Sequence, residues 1–579
     1  MKSKYIKILR YLKPYTFIAI LAPVFLIVEV IMTLLIPDTM RQMIDIGIKE
    51  KESISLVLNY GGRMLAFSFL TIFFAFLSNF FSTWASAAMV NDIRIETFKK
   101  ALTMSFKSLD ELETGQVITR VTSDVNSLRW VTKAMLRVLI KAPVTMIGAV
   151  YMAYRISPKL SIIFGIIIPI IFLANYFIVK KSFPLFRTMQ QKLEDINNYT
   201  HENLANVRVV KAFNRGKYAN EIFDEKVDAL KETTIKANKI TTYTGPISLI
   251  VINLAITAVL YFGGFDVIKE TGLKVGDLVA FINYLALVSG SLNMMTHIVN
   301  IFPRAEASSA RILELVESDF ELKANNLISD KDIKGKIEFR NVSFSYQDGT
   351  PVLKNISFKV NPGERLGIIG TTGSGKSTLA SLIARYYDAT EGQIYIDDEI
   401  IQDYDLHHLR ANISTVMQKA LLFSGSIGDN IRFGNMDAEL DDLVQATKQS
   451  DAYEFIEKYP EKFDSIIGQR GINLSGGQKQ RVSMARSILT QPKILIFDDS
   501  TSAVDMTTEA KILKSLNKNI KDTTVIIIAQ RIQSIINADK ILVLENGKVS
   551  GYGTHEELLN HNSLYTDIYQ AQIGGGNDE

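Results

Sequence analysis

The stretch LGIIGTTGSGKSTLASLIARYY, residues 366–387, holds an apolar run, a glycine-rich turn and a helical run in succession. LGIIG predicts a buried strand, and the turn after it matches G-x-x-x-x-G-K-[ST] in the strand, loop and helix setting that this pattern requires. Glycines let backbone N–H groups close around phosphates, the lysine reaches the β- and γ-phosphates, and the next hydroxyl helps to hold Mg²⁺. The predicted ATP-binding residues of this loop are Gly370, Thr371, Thr372, Gly373, Ser374, Gly375, Lys376, Ser377 and Thr378.

A second apolar strand, KILIFD at residues 493–498, ends in a carboxylate. In this class of site such a carboxylate meets Mg²⁺ directly or through water, so Asp498 joins Ser377 as a predicted metal ligand. Between loop and strand lies LSGGQKQR, residues 474–481, where a serine and two glycines begin a helix that can bind an anion. Short β-rich runs alternate with helical segments from Lys336 onwards, which predicts an α/β ATPase.

The bulk composition indicates a membrane half followed by a soluble half. The chain has 579 residues, too many for one compact domain, and its 47% apolar content is concentrated in long runs before about residue 303. The net charge of +3 gives no case for a nucleic-acid partner. The chain has no cysteine, which excludes disulfides, thiolate metal sites and cysteine nucleophiles.

Six apolar segments approach the roughly 20 residues that a helix needs to cross a bilayer. Two long polar stretches between them show helical periodicity, which predicts helices extending beyond the membrane. Residues 1–14 are basic and amphipathic and predict an interfacial helix, with a frayed terminus as the alternative. The six predicted spans lie near residues 15–37, 57–83, 136–156, 160–180, 245–264 and 278–302.

The predicted domain organisation follows from these segments. Residues 15–302 form the transmembrane domain, 303–335 a linker, 336–572 the nucleotide-binding domain and 573–579 a flexible tail. Because the second half needs ATP, it is expected in the cytosol, and six spans place the N-terminus on the same side. The polar stretch from Lys180 to Lys239 has an excess of lysine and arginine, as the positive-inside rule expects.

Polar groups inside the predicted spans are candidates for a substrate cavity. For the amides, interhelical hydrogen bonds are the alternative. A buried carboxylate costs several kcal/mol unless it is paired or protonated, so Glu29 is harder to explain as pure structure. The candidates are Glu29, Asn253, Asn283, Asn293 and His297.

LSGGQ between these two strands is the signature of ATP-binding cassette (ABC) transporters, and the chain resembles this family over essentially its full length. The resemblance implies an all-α six-helix transmembrane domain of the ABC exporter type followed by an α/β P-loop ATPase cassette. It further implies that cassettes pair head to tail, so that Leu474, Ser475, Gly476, Gly477 and Gln478 contact the ATP of a second ABC half-transporter.

Other roles are also implied by the resemblance. Tyr346 matches the aromatic residue that stacks on adenine, and Gln418 matches the glutamine that touches Mg²⁺ and the attacking water. Ser502 and Asp505 match the loop that crosses to the other cassette. Polar stretches near residues 112–124 and 203–213 would hold the coupling helices that dock on the cassettes.

Three positions depart from the family pattern. The catalytic glutamate after Asp498 is replaced by Asp499, and the histidine that would contact the γ-phosphate is replaced by Gln530. A smaller change puts Gln469 where the family usually has glutamate. None of the six histidines is placed to substitute, and His555 fits a helix start capped by Thr554 with Glu557 in the capping-box position.

Two changes at one ATP site favour a degenerate, poorly hydrolysing site over neutral drift. A base must lie within about 2.6–3.2 Å of its proton, and a misplacement of about 1 Å can cost a hundredfold in rate. The intact signature would then complete a competent site on a different chain, as in heterodimeric bacterial exporters with one degenerate site. The hypothesis is therefore ATP-driven export of amphipathic drugs, lipids or peptides across the cell membrane. Import by an exporter-like architecture and an ATP-sensing regulatory subunit are the alternatives.

Overall fold

The chain forms two units. The computed structural model describes residues 4–112, 114–269, 272–317, 322, 327–346, 349–500, 505–519 and 522–573. The first unit, here the membrane unit, comprises Met1–Leu102 and Gly115–Ser318, and the second, the nucleotide unit, comprises Thr103–Thr114 and Asp319–Glu579. The twelve-residue segment 103–114 thus belongs by its contacts to the nucleotide unit, although it lies between two helices of the first half.

The first half of the chain is helical in every described element. A π-helical segment at Met43–Glu50 extends the helix before it, and shorter ones at Arg120–Asp124 and Val259–Gly263 join helices end to end. The α-helices are α1 (Lys4–Ile8), α2 (Thr16–Gln42), α3 (Ile54–Thr103), α4 (Phe106–Leu112), α5 (Thr114–Thr119), α6 (Val125–Ile156), α7 (Pro158–Ala205), α8 (Val207–Ala212), α9 (Gly216–Thr242), α10 (Thr244–Ala258), α11 (Gly264–Ile268) and α12 (Val275–Glu317).

Six helical stretches in the described residues are long and apolar enough to cross a membrane, which confirms the six predicted spans. The predicted helical extensions are also present, since α3 runs for 50 residues and α7 for 48. A proline at N1 and the Ser157 hydroxyl, which accepts the Leu160 N–H, begin α7 directly after α6. Helix α12 continues without a break to Glu317, so residues 303–317 are helix where the sequence suggested a linker.

The N-terminal helix packs on the protein instead of fraying. Tyr5 and Ile8 are fully buried in a cluster with Leu128 of α6 and Ile312 of α12. The Tyr5 hydroxyl lies 2.9 Å from that of Thr132. Residues 4–15 are therefore ordered by tertiary contacts that a sequence pattern cannot show.

The nucleotide unit contains two larger sheets and helices around them. Its strands are β1 (Ile337–Phe344), β2 (Leu353–Val360), β3 (Arg365–Gly370), β4 (Glu391–Ile396), β5 (Glu399–Ile400), β6 (Ile413–Val416), β7 (Gly425–Ser426), β8 (Ile466–Ile467), β9 (Ile494–Asp498), β10 (Thr524–Ile528), β11 (Lys540–Glu545) and β12 (Lys548–Gly553). Its helices after α4 are α13 (Lys376–Ile383), α14 (Leu406–Ala411), α15 (Ile427–Arg432), α16 (Leu440–Gln449), α17 (Tyr453–Ile456), α18 (Gly476–Leu489), α19 (Met506–Asn519), α20 (His555–His561) and α21 (Ser563–Ile573).

The six-stranded sheet brings the predicted ATP-binding and catalytic residues to one edge. Its order is β12-β11-β3-β10-β9-β6, and the pairs from β11 to β6 are parallel. The central strands are apolar along their whole length because both faces of a parallel sheet are covered. The carboxyl ends of β3, β10 and β9 therefore lie side by side, and they lead into the phosphate loop, Gln530 and Asp499. The four-stranded sheet, of order β2-β1-β4-β5, is antiparallel.

Candidate nucleotide-binding site

The phosphate loop has the backbone that the motif predicts. Gly373 and Gly375 have φ angles of +81° and +98°, which glycine adopts without strain. A Cβ on Gly375 would lie 2.6 Å from the Leu353 side chain, so this position also needs the small residue for space. The Lys376 ammonium group donates to the carbonyls of Gly370 and Thr371 at 3.0 and 2.9 Å, which holds the side chain over the loop.

The two predicted Mg²⁺ ligands, Ser377 and Asp498, contact each other. The Ser377 hydroxyl donates to Oδ1 of Asp498 at 2.8 Å across 121 residues of sequence. Burial raises the pKa of Asp498, the charge of Asp499 adds to the effect, and the Ser377 hydrogen bond opposes it. Burial lowers the pKa of Lys376, against the opposing charges of the two aspartates. A cation between these groups would relieve the crowding of two carboxylates.

Asp499 is the point where three separate segments converge. Its side chain is buried, and its Oδ2 atom accepts from Gln418 Nε2 at 3.0 Å and from Gln530 Nε2 at 2.6 Å. Its backbone has a φ of +44°, the left-handed region that only a minority of non-glycine residues adopt. Because a carboxylate oxygen has two lone pairs, two amide donors occupy the acceptor capacity of Oδ2.

Tyr346, the residue expected to stack on adenine, lies beside the phosphate loop. The Tyr346 hydroxyl lies 3.1 Å from that of Thr378, and its ring meets Phe344 and Tyr387 edge-on at 4.8 and 5.2 Å between centroids. Tyr346 is 40% exposed, so part of this residue is accessible to a ligand. A cavity of about 700 Å³ opens here, lined in part by Tyr346, Tyr387 and the segment 103–114.

Segment 103–114 attaches to this aromatic group, a link that sequence reasoning missed. Phe106 stacks on Tyr386 at 4.4 Å between ring centroids, and the Tyr387 hydroxyl donates to Asp110. The predicted coupling stretch near 112–124 therefore begins too late to include these contacts. The second predicted stretch, near 203–213, contains α8; Val209 in this helix and Phe213 directly after it are exposed.

The signature begins helix α18 with a capping box. The Ser475 hydroxyl accepts the Gln478 N–H at 3.3 Å, and the Gln478 side chain accepts the Ser475 N–H at 2.9 Å. Leu474 is buried beneath this turn, whereas Ser475 and Gly476 are exposed at the helix start. The capping box predicted for Thr554 and Glu557 is confirmed in the same way.

Two further contacts connect the motifs and were not anticipated. Gln480 of α18 donates to the carbonyl of Met417 at 3.0 Å, which ties the signature helix to the residue before Gln418. Buried Glu509 of α19 accepts from the Ser534 hydroxyl and lies 3.7 Å from the Arg531 guanidinium group. Helix α19 is thus fixed to the turn that follows Gln530.

The next candidates are either exposed or lie outside the described residues. Asp505 accepts the Thr508 N–H at 2.9 Å and caps α19, and this backbone hydrogen bond lowers its pKa. Gln469 is exposed in a short 3₁₀ turn, Gln469–Gly471. Ser502 and the His297 side chain lie outside the described residues.

In the membrane unit, Glu29 is 2% exposed and accepts from the Lys141 ammonium group of α6. Asn283 donates to the carbonyl of Val279 in its own helix, and Asn253 is exposed. Asn293 Oδ1 is buried and has no hydrogen-bond partner in the described part of the chain. The pairing of Glu29 with Lys141 was not predicted.

The fold and the site define a membrane protein with its own ATP-binding cassette, and known proteins show the same combination. The model of the ABC transporter transmembrane region matches residues 19–292, and the ABC transporter model matches residues 353–502. An uncharacterized ABC transporter ATP-binding protein, YfiB of Bacillus subtilis, is 37% identical over 569 residues, with 98% of each chain covered. A putative multidrug export ATP-binding/permease protein of the same organism, YgaD, is 32% identical over 496 residues, with 85% of each covered.

A solved structure shares the whole fold. The structure of a bacterial Atm1-family ABC exporter with ATP bound matches with a TM-score of 0.84 and 24% identity, covering 95% of this chain and 98% of that one. The chain belongs to the ABC transporter family. It carries one membrane region and one ATP-binding domain, so it is a half-transporter that works in a lipid bilayer with a second ABC subunit, coupling ATP hydrolysis to transport.

Proposed function

We propose that this chain is the degenerate-site half of a heterodimeric exporter of amphipathic small molecules. The name of YgaD supports export, and the six apolar helices supply a route through the membrane. In this arrangement the nucleotide unit and the N-terminus face the cytosol of the cell. The partner is a different ABC half-transporter that carries a glutamate and a histidine where this chain has Asp499 and Gln530.

The observation that carries the proposal is the double amide contact on Asp499. Its carboxylate is one C–C bond shorter than that of glutamate, so its oxygens lie about 1.5 Å further back from a water near the γ-phosphate. Gln418 and Gln530 both bind Oδ2, which leaves that oxygen without a lone pair for the proton of an attacking water. A general base needs direct reach to that proton; the shorter side chain works against that reach, and the two amides occupy one of the two carboxylate oxygens.

The same geometry is favourable for binding ATP. The loop glycines, Lys376 and the start of α13 are arranged for phosphates, and Tyr346 offers an open ring face for adenine. Ser377 and Asp498 would hold Mg²⁺, because both present oxygen atoms 2.8 Å apart. The Gln418 Nε2 amide donates a hydrogen bond to Asp499, so the amide oxygen of Gln418 is the atom that can face the metal. Bound Mg²⁺ would neutralise phosphate charge.

The intact signature gives the chain a separate role. A capped helix start with exposed Ser475 and Gly476 can face the γ-phosphate of an ATP held by the partner. Asp505 at the start of α19, and the contact of α19 with the turn after Gln530, support communication between the two sites. Loss of this chain's own hydrolysis would therefore not disable the transporter.

The proposal is tested on the purified full-length chain without a partner. We expect ATP binding to be retained but turnover to lie about a hundredfold below that of a homodimeric ABC exporter measured in the same lipid. Binding is followed by equilibrium dialysis of labelled ATP, and turnover by phosphate release, with Lys376→Ala as the control that lowers binding. Ordinary turnover by the chain alone would overturn the degenerate-site proposal.

A separate prediction concerns Tyr346. Replacement by alanine removes the proposed adenine platform, and base–aromatic stacking is worth about 1–3 kcal/mol. We expect Tyr346→Ala to weaken ATP binding by roughly five- to 150-fold. Tyr346→Phe keeps the ring and loses only the contact with Thr378, so it should bind within about threefold of the wild type. Equal effects of the two substitutions would exclude stacking as the cause.

A further inference from the structure

Helix α6 carries a row of four cationic side chains, two of which lie inside the predicted third span, residues 136–156. Arg129, Lys133, Arg137 and Lys141 follow one another at four-residue intervals. Residues at i and i+4 lie on the same face of a helix, so the row is continuous over about 18 Å of the helix axis. The helical stretch Thr114–Ile156 that contains them is one of the six that can cross a membrane. We call these four residues the cationic row.

Helix α3 faces the row with neutral polar groups. Arg137 donates to the Asn79 amide oxygen at 2.9 Å. Thr83 and Ser86, one and two turns further along α3, line a cavity of about 200 Å³ together with Arg129, Trp130 and Lys133. The sequence has no acidic residue between Glu52 and Asp92, so this part of α3 brings no carboxylate to the row.

One carboxylate neutralises only part of the row. Buried Glu29 accepts from Lys141, and its Oε2 atom lies 3.9 Å from the Arg137 guanidinium group. Arg129 and Lys133 have no ion-pair partner within the described ranges. Four positive charges against one negative charge leave an excess of three. The buried Nε atom of Arg137 also has no hydrogen-bond partner in the part of the chain that the structure describes.

Charge inside an apolar helix is costly, and Arg137 and Lys141 lie in the apolar part of α6. Lysine and arginine near a membrane surface often extend their side chains to lipid headgroups. Arg137 and Lys141 do not follow that pattern, because they bind Asn79 and Glu29 of neighbouring helices. Charges that face other helices or a cavity, and not lipid, mark pathways for polar groups.

Trp130 adds an apolar surface at the Arg129 end of the row. Its ring is 62% exposed and lies next to Arg129, 6.0 Å from the guanidinium carbon. The cavity is lined mainly by apolar atoms of these residues, so it fits the apolar body of a ligand whose anionic head lies among the cations of the row.

We propose that the cationic row binds the anionic headgroup, a carboxylate or a phosphate, of the amphipathic molecule that this transporter moves. The inference rests on the proposed transport function for its biological meaning, but its chemistry stands on the row alone. Arg129 and Lys133 receive the anion, and the cavity beside Thr83, Ser86 and Trp130 takes the apolar body. Arg137, held by Asn79, presents its remaining donors further along the row.

The test uses Trp130 as the reporter. The chain has two tryptophans, so Trp84→Phe leaves Trp130 as the single emitter. The full-length protein in phosphatidylcholine nanodiscs, without ATP, is titrated with dodecanoate, dodecyl phosphate and dodecyltrimethylammonium. We expect both anions to bind at least about tenfold more tightly than the cation. Equal binding of the cation would overturn the proposal.

Matched variants separate the row from general charge. Arg129→Gln/Lys133→Gln should abolish the preference for anions, whereas Arg129→Lys should retain it. Lys180→Gln/Lys181→Gln removes the same charge from exposed positions on α7 and should leave the preference unchanged. An anion preference that survives loss of Arg129 and Lys133, or that falls equally in the α7 control, would contradict the assignment.

A second arm identifies the source of the anion. Phosphatidylglycerol nanodiscs should weaken dodecanoate binding if a lipid phosphate occupies the row, and this competition should vanish in the Arg129→Gln/Lys133→Gln variant. Dodecanoate binding that phosphatidylglycerol does not affect supports a free amphiphile instead. These titrations need neither ATP nor a partner. An anion preference can therefore be found even if the chain alone turns over ATP normally, and it can be missing even if turnover is weak.

Discussion

Ser475→Ala is expected to lower ATP hydrolysis by the assembled transporter about a hundredfold or more, whereas Asp499→Asn should change it by less than about twofold. Ser475 is exposed at the start of α18, where it can meet the ATP of the partner. Asp499 belongs to this chain's own site, where two amides bind it, and the proposed function expects it to contribute little as a base. The measurement is phosphate release by the complex that co-purifies with the tagged chain.

The controls address folding and binding. Ser475→Thr keeps a hydroxyl that can cap α18, so it separates loss of the cap from loss of the γ-phosphate contact. ATP binding at this chain's site should be unchanged in Ser475→Ala, because the phosphate loop lies on a different element. If Asp499→Asn stopped hydrolysis and Ser475→Ala did not, the assignment of the two sites would be reversed.

The second prediction is a gain of activity in the chain alone. Asp499→Glu/Gln530→His restores the longer base and the residue that the family places at the γ-phosphate. We expect turnover of the partner-free chain to rise about a hundredfold, since the correction in position is about 1 Å or more. The Gln418 contact can follow the longer carboxylate, whereas loss of the Gln530 amide releases one of the two donors on Oδ2.

Three variants define the origin of that gain. Asp499→Glu alone should give a smaller increase, because Gln530 still lacks the imidazole. Addition of Ser475→Ala to the double variant should abolish the gain if two copies complete each other's sites. A double variant that binds ATP like the wild type and turns over no faster would show that length and hydrogen bonding at Asp499 do not limit hydrolysis.

The local motifs of this chain are readable from the sequence because each combines residue type with spacing. The phosphate loop, Asp498 and the six apolar segments follow from glycine positions, strand ends and hydropathy. The capping boxes at Ser475 and Thr554 involve residues three apart in sequence. In each case the physical cause lies within a few residues or within one periodic segment.

The missed features depend on contacts between distant segments. Gln418 and Gln530 lie 81 and 31 residues from Asp499, and no local pattern places both amides on one carboxylate oxygen. The bond from Tyr387 to Asp110 spans 277 residues. Arg137 and Lys141 lie in the predicted third span, and hydropathy penalises such charges without showing which helix faces them.

In the assembled transporter, we expect this chain to hold ATP without hydrolysing it while its partner turns over. Vanadate trapping with a photoreactive, α-labelled ATP measures this, because the two chains can be separated after cross-linking and the nucleotide on each identified. We expect trapped ADP on the partner and intact ATP on this chain beside Lys376. Trapped ADP in equal amounts on both chains would show that both sites hydrolyse ATP.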